Sequence, residues 1–181
     1  MAFAAYITIE GAEGQSTNAN HQNWIDVRAY CSGANQETRK GSNLASAGQG
    51  IMAPLTFIHS IDKSSPKLAE LCMNGKNVPS ATLHVCAMIG GKQVIVYEVK
   101  LETVRVVEAK QCTIAKDQVV YSEDAALYSA AQAESSNIEP LESISLAADK
   151  TTWTYHGFKS DGTGAGQVSA KWEVGQGKGG S

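Results

Sequence analysis

The sequence predicts an antiparallel all-β domain with one short helix beside it, and three observations carry that prediction. Apolar and polar residues alternate along most of the 181-residue chain, the period of a half-buried strand. The alternating stretches are separated by Gly, Asn, Ser and Pro, as in hairpin-rich domains. The stretch around Pro66 gives the clearest helix, combining helix caps with apolar residues three and four apart. Residues 1–174 read as a single domain, and the Gly- and Lys-rich residues 175–181 as a flexible tail.

The first strands fall at 3–10 and 24–31. In the second, Ile25, Val27, Ala29 and Cys31 share one face, opposite Asp26, Arg28 and Tyr30. Periodicity vanishes over 32–50, a polar, glycine-rich stretch too long for a simple hairpin and read as a long loop, either a surface loop or an interaction loop. A strand returns at 51–59. Then Ser64 or Ser65 can cap a helix with Pro66 in its first turn, Leu68, Leu71 and Cys72 on one face, and Gly75 as its left-handed stop.

Two strong strands follow at 81–89 and 93–107, joined at Gly90-Gly91. A two-residue turn would set Leu83 opposite Glu98 and send the two apolar rows to opposite faces, so a three-residue loop or a bulge is required, and an odd-length hairpin is expected. Residues 108–139 give a mixed signal, with a short strand at 117–121 and a helix at 123–133 capped by Ser122. The last strands lie at 142–147, 151–158 and 167–174, with a glycine-rich turn over 159–166.

Composition narrows the function. Fifteen basic and eighteen acidic side chains give a net charge of −3 without a basic cluster, which argues against a nucleic-acid partner whose affinity comes from neutralising phosphates. No apolar run reaches the roughly eighteen residues of a membrane helix. The N-terminus lacks a basic start and an apolar stretch, so export would need a dedicated machine. Cys31, Cys72, Cys86 and Cys112 show no CxxC pair and read as reduced thiols. Gly-x-Ser-x-Gly, His-Glu-x-x-His and the phosphate-binding Gly-x-x-x-x-Gly-Lys are absent, and Gly162-x-Gly164-x-Gly166 precedes a strand and reads as a turn.

His84 and Cys86 fall on one strand face and could begin a metal site, although packing is the simpler reading. His21, His59 and His156 read as turn or surface residues, and Trp24, Trp153 and Trp172 as core or subunit-interface anchors. No catalytic residue, cofactor or metal is assigned.

Four segments, in order, resemble the hemolysin-coregulated protein (Hcp) family, the tube protein of bacterial type VI secretion systems. They are Gly11-x-x-Gly14 with His21-x-x-x-Ile25-Asp26-Val27; Phe57 with Ile61-Asp62-Lys63-Ser64-Ser65-Pro66-x-Leu68 and Cys72-x-x-Gly75-Lys76; Ala81-x-Leu83; and Ile144-Ser145-Leu146 through Trp153-x-Tyr155 to Gly166-x-x-x-Ala170-x-Trp172. The resemblance spans nearly the whole chain, with 110–137 longer than the corresponding connection and expected to be an insertion.

The resemblance implies a β-barrel with a six-stranded core and a short flanking helix, assembling into hexameric rings. Such rings stack into a hollow tube that carries effector proteins, with a spike protein at its tip and a contractile sheath around it. It implies synthesis in the bacterial cytoplasm, export by the type VI system and no membrane insertion. Arg39, Lys40, Gly41, Asn43 and Leu44 are the expected ring-stacking contacts, because a loop can order on a neighbour without disturbing the barrel. The alternatives are a ligand-binding or enzymatic β-barrel of unrelated function, and a secreted effector or adhesin.

Overall fold

A two-residue turn fixes the register of the longest hairpin. In the computed structural model, which describes residues 3–38, 47–115, 138–176 and 178–180, strands β4 (Asn77–Ile89) and β5 (Lys92–Ala115) are joined through Gly90 and Gly91. Both glycines have positive φ, 57° and 76°, as a type I′ turn requires. Ile89 pairs with Lys92, and Cys86 with Ile95, but Val85 then pairs with Tyr97, leaving Val96 as an extra residue. That bulge sets Leu83 opposite Val99 and restores the apolar match; the loop itself is even.

Six strands close on themselves. β1 (Phe3–Ile9), β2 (Ile25–Thr38), β3 (Ala47–Ser60), β4, β5 and β6 (Ile138–Phe158) run antiparallel in the order β3-β2-β1-β4-β5-β6, and β3 also pairs with β6 to complete the ring. β7 (Gly164–Glu173) and the short β8 (Lys178–Gly180) extend the second half of β6 outside that ring. Ring closure removes the open edges that a flat sheet of this composition would expose.

The core is lined by Ile7, Ile9, Ile25, Phe57, Leu83, Val99, Leu101, Ile144 and Leu146, all but excluded from solvent. Helix α1 (Ser65–Asn74) adds Leu68 and Leu71 to the same cluster. Burying each such aliphatic side chain contributes about 1.5–3 kcal/mol.

The inward face changes parity at one level of the wall. On β5, Val99 and Leu101 point inward, and so do Val104 and Val106; between them Thr103 has φ 54° and no ladder partner. Pro79 on β4 and Asp149 on β6 lie level with Thr103, also outside the ladders. Val78 and Ala81 flank the first, Leu146 and Thr151 the second, and all four are buried across the same change from even to odd numbering. A left-handed residue turns the strand over, so the three strands kink together and keep apolar residues inside.

Several expectations change. The loop expected over 32–50 is largely a hairpin: residues 32–38 belong to β2 and 47–50 to β3, with Gly33 opposite Ala53 and Gln36 opposite Gly50. Residues 32–36 and 50 of this hairpin are exposed or only part-buried, so no apolar alternation marks them. Residues 110–115 of the expected insertion continue β5 and pair with 138–143 of β6, whose two predicted strands form one. The strand expected at 117–121 and the helix expected at 123–133 lie outside the described residues. Part of the expected tail, Lys178–Gly180, pairs with Lys171, Trp172 and Glu173. Among the described residues no helix is long and apolar enough to cross a membrane.

Candidate functional site

The motif residues around Pro66 build a capped helix at one end of the barrel. Asp62 supplies the cap: its Oδ1 accepts the Ser64 N–H at 2.8 Å and the Ser64 hydroxyl, while its own N–H donates to Ser65 Oγ at 3.2 Å. Ser64 occupies the N-cap position, but its hydroxyl does not bond a helix N–H, contrary to the sequence reading. Gly75 ends the helix at φ 62° and ψ 18°, as its position predicted, and Asn74 Oδ1 accepts the Lys76 N–H at 2.9 Å. Leu68 is buried and Cys72 packs against the core. Ile61 is partly exposed and donates its N–H to the Pro140 carbonyl, and Lys63 reaches Glu13 and Asn23 across to the segment between β1 and β2. Pro66 sits in the first turn.

Beneath this helix start lies a sealed ionisable cluster. His59 and Glu142 are opposite one another on β3 and β6, continuing the inward rows of Leu55-Phe57 and Leu146-Ile144, and both are fully buried. His59 Nε2 approaches Glu142 Oε2 at 3.1 Å, outside in-line hydrogen-bond geometry, and His59 Nδ1 lies 3.9 Å from Asp62 Oδ1. Burial pushes the Glu142 carboxyl up, but His59, Ser65 and Gln111 outweigh it and hold the group below the usual carboxylate range.

A second cluster lies on the outer face. Asp26, Tyr6, His84 and Glu98 form a row across β2, β1, β4 and β5, since Tyr6 pairs with both Asp26 and His84, and His84 pairs with Glu98. The segment between β1 and β2 covers this row and places His21 on it. The His21 ring stacks on Tyr6 with centroids 4.3 Å apart, and Trp24 meets His21 edge-on at 4.9 Å. His21 Nε2 lies 3.0 Å from His84 Nδ1, and His84 Nε2 lies 2.9 Å from Glu98 Oε2. Burial lowers both histidines' affinity for a proton; the His84 charge lowers that of His21 further, while Glu98 pulls His84 partly back.

Cys86 joins this cluster, its Sγ 3.9 Å from His21 Nε2, and burial pushes its thiol up, away from a reactive thiolate. Among the described residues no group of three His, Cys, Asp or Glu side chains is arranged to hold a metal ion. His21 and His59, read from sequence as turn or surface residues, are both buried. His21 does lie in a turn, but that turn folds onto the sheet; the surface reading of His59 fails because a lone histidine on an alternating strand gives no sign of a carboxylate arriving from another strand. Glu98 as a partner of His84 follows from the bulge that the apolar mismatch demanded, but Glu142 required the long-range β3–β6 pairing. The expected ring-stacking residues Arg39, Lys40, Gly41, Asn43 and Leu44 lie outside the described residues.

The outer wall also carries an apolar patch. Tyr155 and Val168 are direct partners on β6 and β7, 57% and 72% exposed. Among the described residues, positions 164–170 of β7 pair only with β6, so their other edge is open.

These features can be set beside known proteins. The model of a family described as the type VI secretion system effector Hcp matches residues 6–155 of the chain. The chain belongs to the Hcp family. Solved structures agree across its length. A structure titled as that of a type six secretion system protein is 25% identical with a TM-score of 0.79, covering 98% of this chain and 99% of its own. Hcp1 from Salmonella typhimurium shares 20% identity at a TM-score of 0.67, with 99% of each chain covered. A type VI secretion system effector from Yersinia pestis shares 22% at 0.64, covering 94% of this chain and 99% of its own. No curated protein sequence matches the chain. Hcp-family membership makes the chain a type VI secretion tube protein, of a structural family secreted by that system.

Proposed function

We propose that this Hcp-family chain is a non-enzymatic subunit that closes into homohexameric rings, and that the rings stack into a hollow tube delivering effector proteins. The family match over residues 6–155 carries the reading. The surface supports it: β7 stands outside the ring of six strands, with an open edge over 164–170 beside exposed Tyr155 and Val168. An open edge flanked by apolar side chains suits association with another copy, and a rotation that closes turns such contacts into a ring. Arg39, Lys40, Gly41, Asn43 and Leu44, which follow β2 in the sequence, are proposed to meet the neighbouring ring. Spike and sheath proteins would engage the stacked tube, and effectors its channel. Synthesis in the cytoplasm precedes export through the system itself.

Light scattering with negative-stain imaging tests the assembly. The expected species is a ring of about 115 kDa for six 19.1-kDa chains, and a strictly monomeric protein at every concentration overturns the reading. Val168→Asp places a charge in the apolar patch and is expected to give folded monomers. Deleting residues 39–47 is expected to leave rings intact while shortening tubes; unchanged tube length would assign stacking elsewhere.

A further inference from the structure

The His21–His84 contact has more acceptors around it than the two rings have protons. Asn18 Oδ1 accepts the backbone N–H of Asn20 at 3.0 Å, and Asn18 Nδ2 donates to Gln93 Oε1 at 2.9 Å and Tyr6 Oη at 3.1 Å, so the orientation of this amide is fixed. Its Oδ1 faces His21 Nδ1 at 3.3 Å. At the other end the Glu98 carboxylate faces His84 Nε2. Between these acceptors lie four ring nitrogens and three links, and two neutral imidazoles supply two N–H groups.

The neutral pair therefore satisfies two links of three. The charge-assisted link at 2.9 Å takes the His84 Nε2 proton, the ring-to-ring link at 3.0 Å takes the His21 Nε2 proton, and the longest contact, His21 Nδ1 to Asn18 Oδ1, goes without. One added proton completes the chain at His21 Nδ1. A second would set His84 Nδ1–H against His21 Nε2–H at a spacing suited only to a hydrogen bond.

We propose that the His21–His84 pair is an acid-release latch: it accepts one added proton in place, and the second expels His21 and frees the segment between β1 and β2 from the barrel wall. The latch is well placed for this. That segment is organised by its own bonds, Gly14 N–H to Asn23 O, Ser16 N–H to Trp24 O and Asn23 N–H to Ser16 O. It is fastened to the sheet by the Tyr6 stack, the Asn18 bonds and the Ser16 hydroxyl donating to Asp26 at 2.8 Å, and to the turn before α1 by Lys63. The charges facing the pair come from every neighbouring element: Asp26 on β2 and Glu98 on β5 favour a proton, His156 on β6 opposes one, the Tyr6 ring on β1 stacks on His21, and burial keeps the Cys86 thiol on β4 protonated. Burial lowers both histidines below the ordinary value of 6.5. The sign follows: docking of the segment is at full strength above that value and is lost as pH falls through the lowered ones. Release would bare Cys86 and the outer faces of β1 and β4.

Imidazole nitrogen NMR and amide exchange on the full-length protein, between about pH 8 and pH 5, test the latch. At the upper end both rings are expected to carry their proton on Nε2. On acidification the Gly14, Ser16 and Asn23 amides, corrected for intrinsic exchange, are expected to lose protection by more than about tenfold per pH unit, the mark of more than one proton. Amides of Leu83 and Val99 are expected to keep theirs. In His84→Gln, whose amide can accept from His21 and donate to Glu98 but cannot take a proton, the fall is limited to about tenfold per unit. Three results overturn the latch: a proton on His21 Nδ1 at pH 8, segment and sheet amides losing protection together, or an undiminished slope in His84→Gln. The first two need only the wild-type protein, should the variant not fold.

Discussion

Two clusters in this barrel are built from the same chemistry, a histidine facing a carboxylate on an adjacent strand, and they differ in what surrounds them. His59 and Glu142 sit inside the wall, both fully buried, closed over by Asp62, Ser65 and the start of α1. His84 and Glu98 sit on the outer face, their side chains 14% and 31% exposed, covered by one segment that can move without opening the barrel. The first can change protonation only by disturbing the ring of strands. The second needs only its cover to lift. Location relative to the closed ladder, more than the identity of the pair, separates a structural joint from a titratable one.

The largest effect that would sharpen this contrast is removal of one buried partner. Glu142→Ala leaves a cavity and takes the buried partner of His59 and Gln111 away, and chemical denaturation is expected to show a loss of about 3–5 kcal/mol. Glu98→Ala, at the half-buried site, is expected to cost about 1–2 kcal/mol, near the value of one hydrogen bond to a charged group. Equal losses would abolish the distinction.

The two sites also predict separate acid transitions. Glu142 is held below its ordinary value of 4.5, so its contribution is present above that pH and lost as pH falls through the lowered one. The histidines act in a higher window, below 6.5. Circular dichroism of the whole barrel is expected to hold through the histidine window and fail in the carboxylate one, and Glu142→Gln to flatten the second transition alone.

Smaller changes test the helix that closes the sealed site. Asp62→Ala removes the cap that Ser64 does not provide, at an expected cost of about 0.5–2 kcal/mol by thermal unfolding. Gly75→Ala meets no atom within 4 Å, so only its left-handed φ of 62° is penalised, by about 1 kcal/mol.

The same division explains what the sequence made legible. Alternation located β1, the first half of β2, the barrel half of β3, β4 and β5, because each has one face in the core. It failed over 32–38 and 47–50, where the strands pair with each other without an apolar alternation in the sequence. It also missed the kink at Pro79, Thr103 and Asp149, since a left-handed threonine carries no compositional mark. The motif around Pro66 was readable as a helix with its stop at Gly75, but not as the lid over His59 and Glu142, because that depends on β3 meeting β6 about 85 residues away along the chain. The Hcp resemblance recovered the closed architecture that local patterning alone could not give.

The single extra residue at Val96 has a consequence for how this chain can change length. β5 is paired along one edge with β4 and along the other with β6, and β6 in turn sets β3 and β7. A one-residue insertion or deletion between Gly90 and Glu98 would thus shift the frame in which β5 and the three strands that follow from it are read against β4, exchanging inward and outward side chains. Two-residue changes preserve the frame. The hairpin behaves toward length variation much as a coding sequence does, tolerant of whole units and intolerant of fractions.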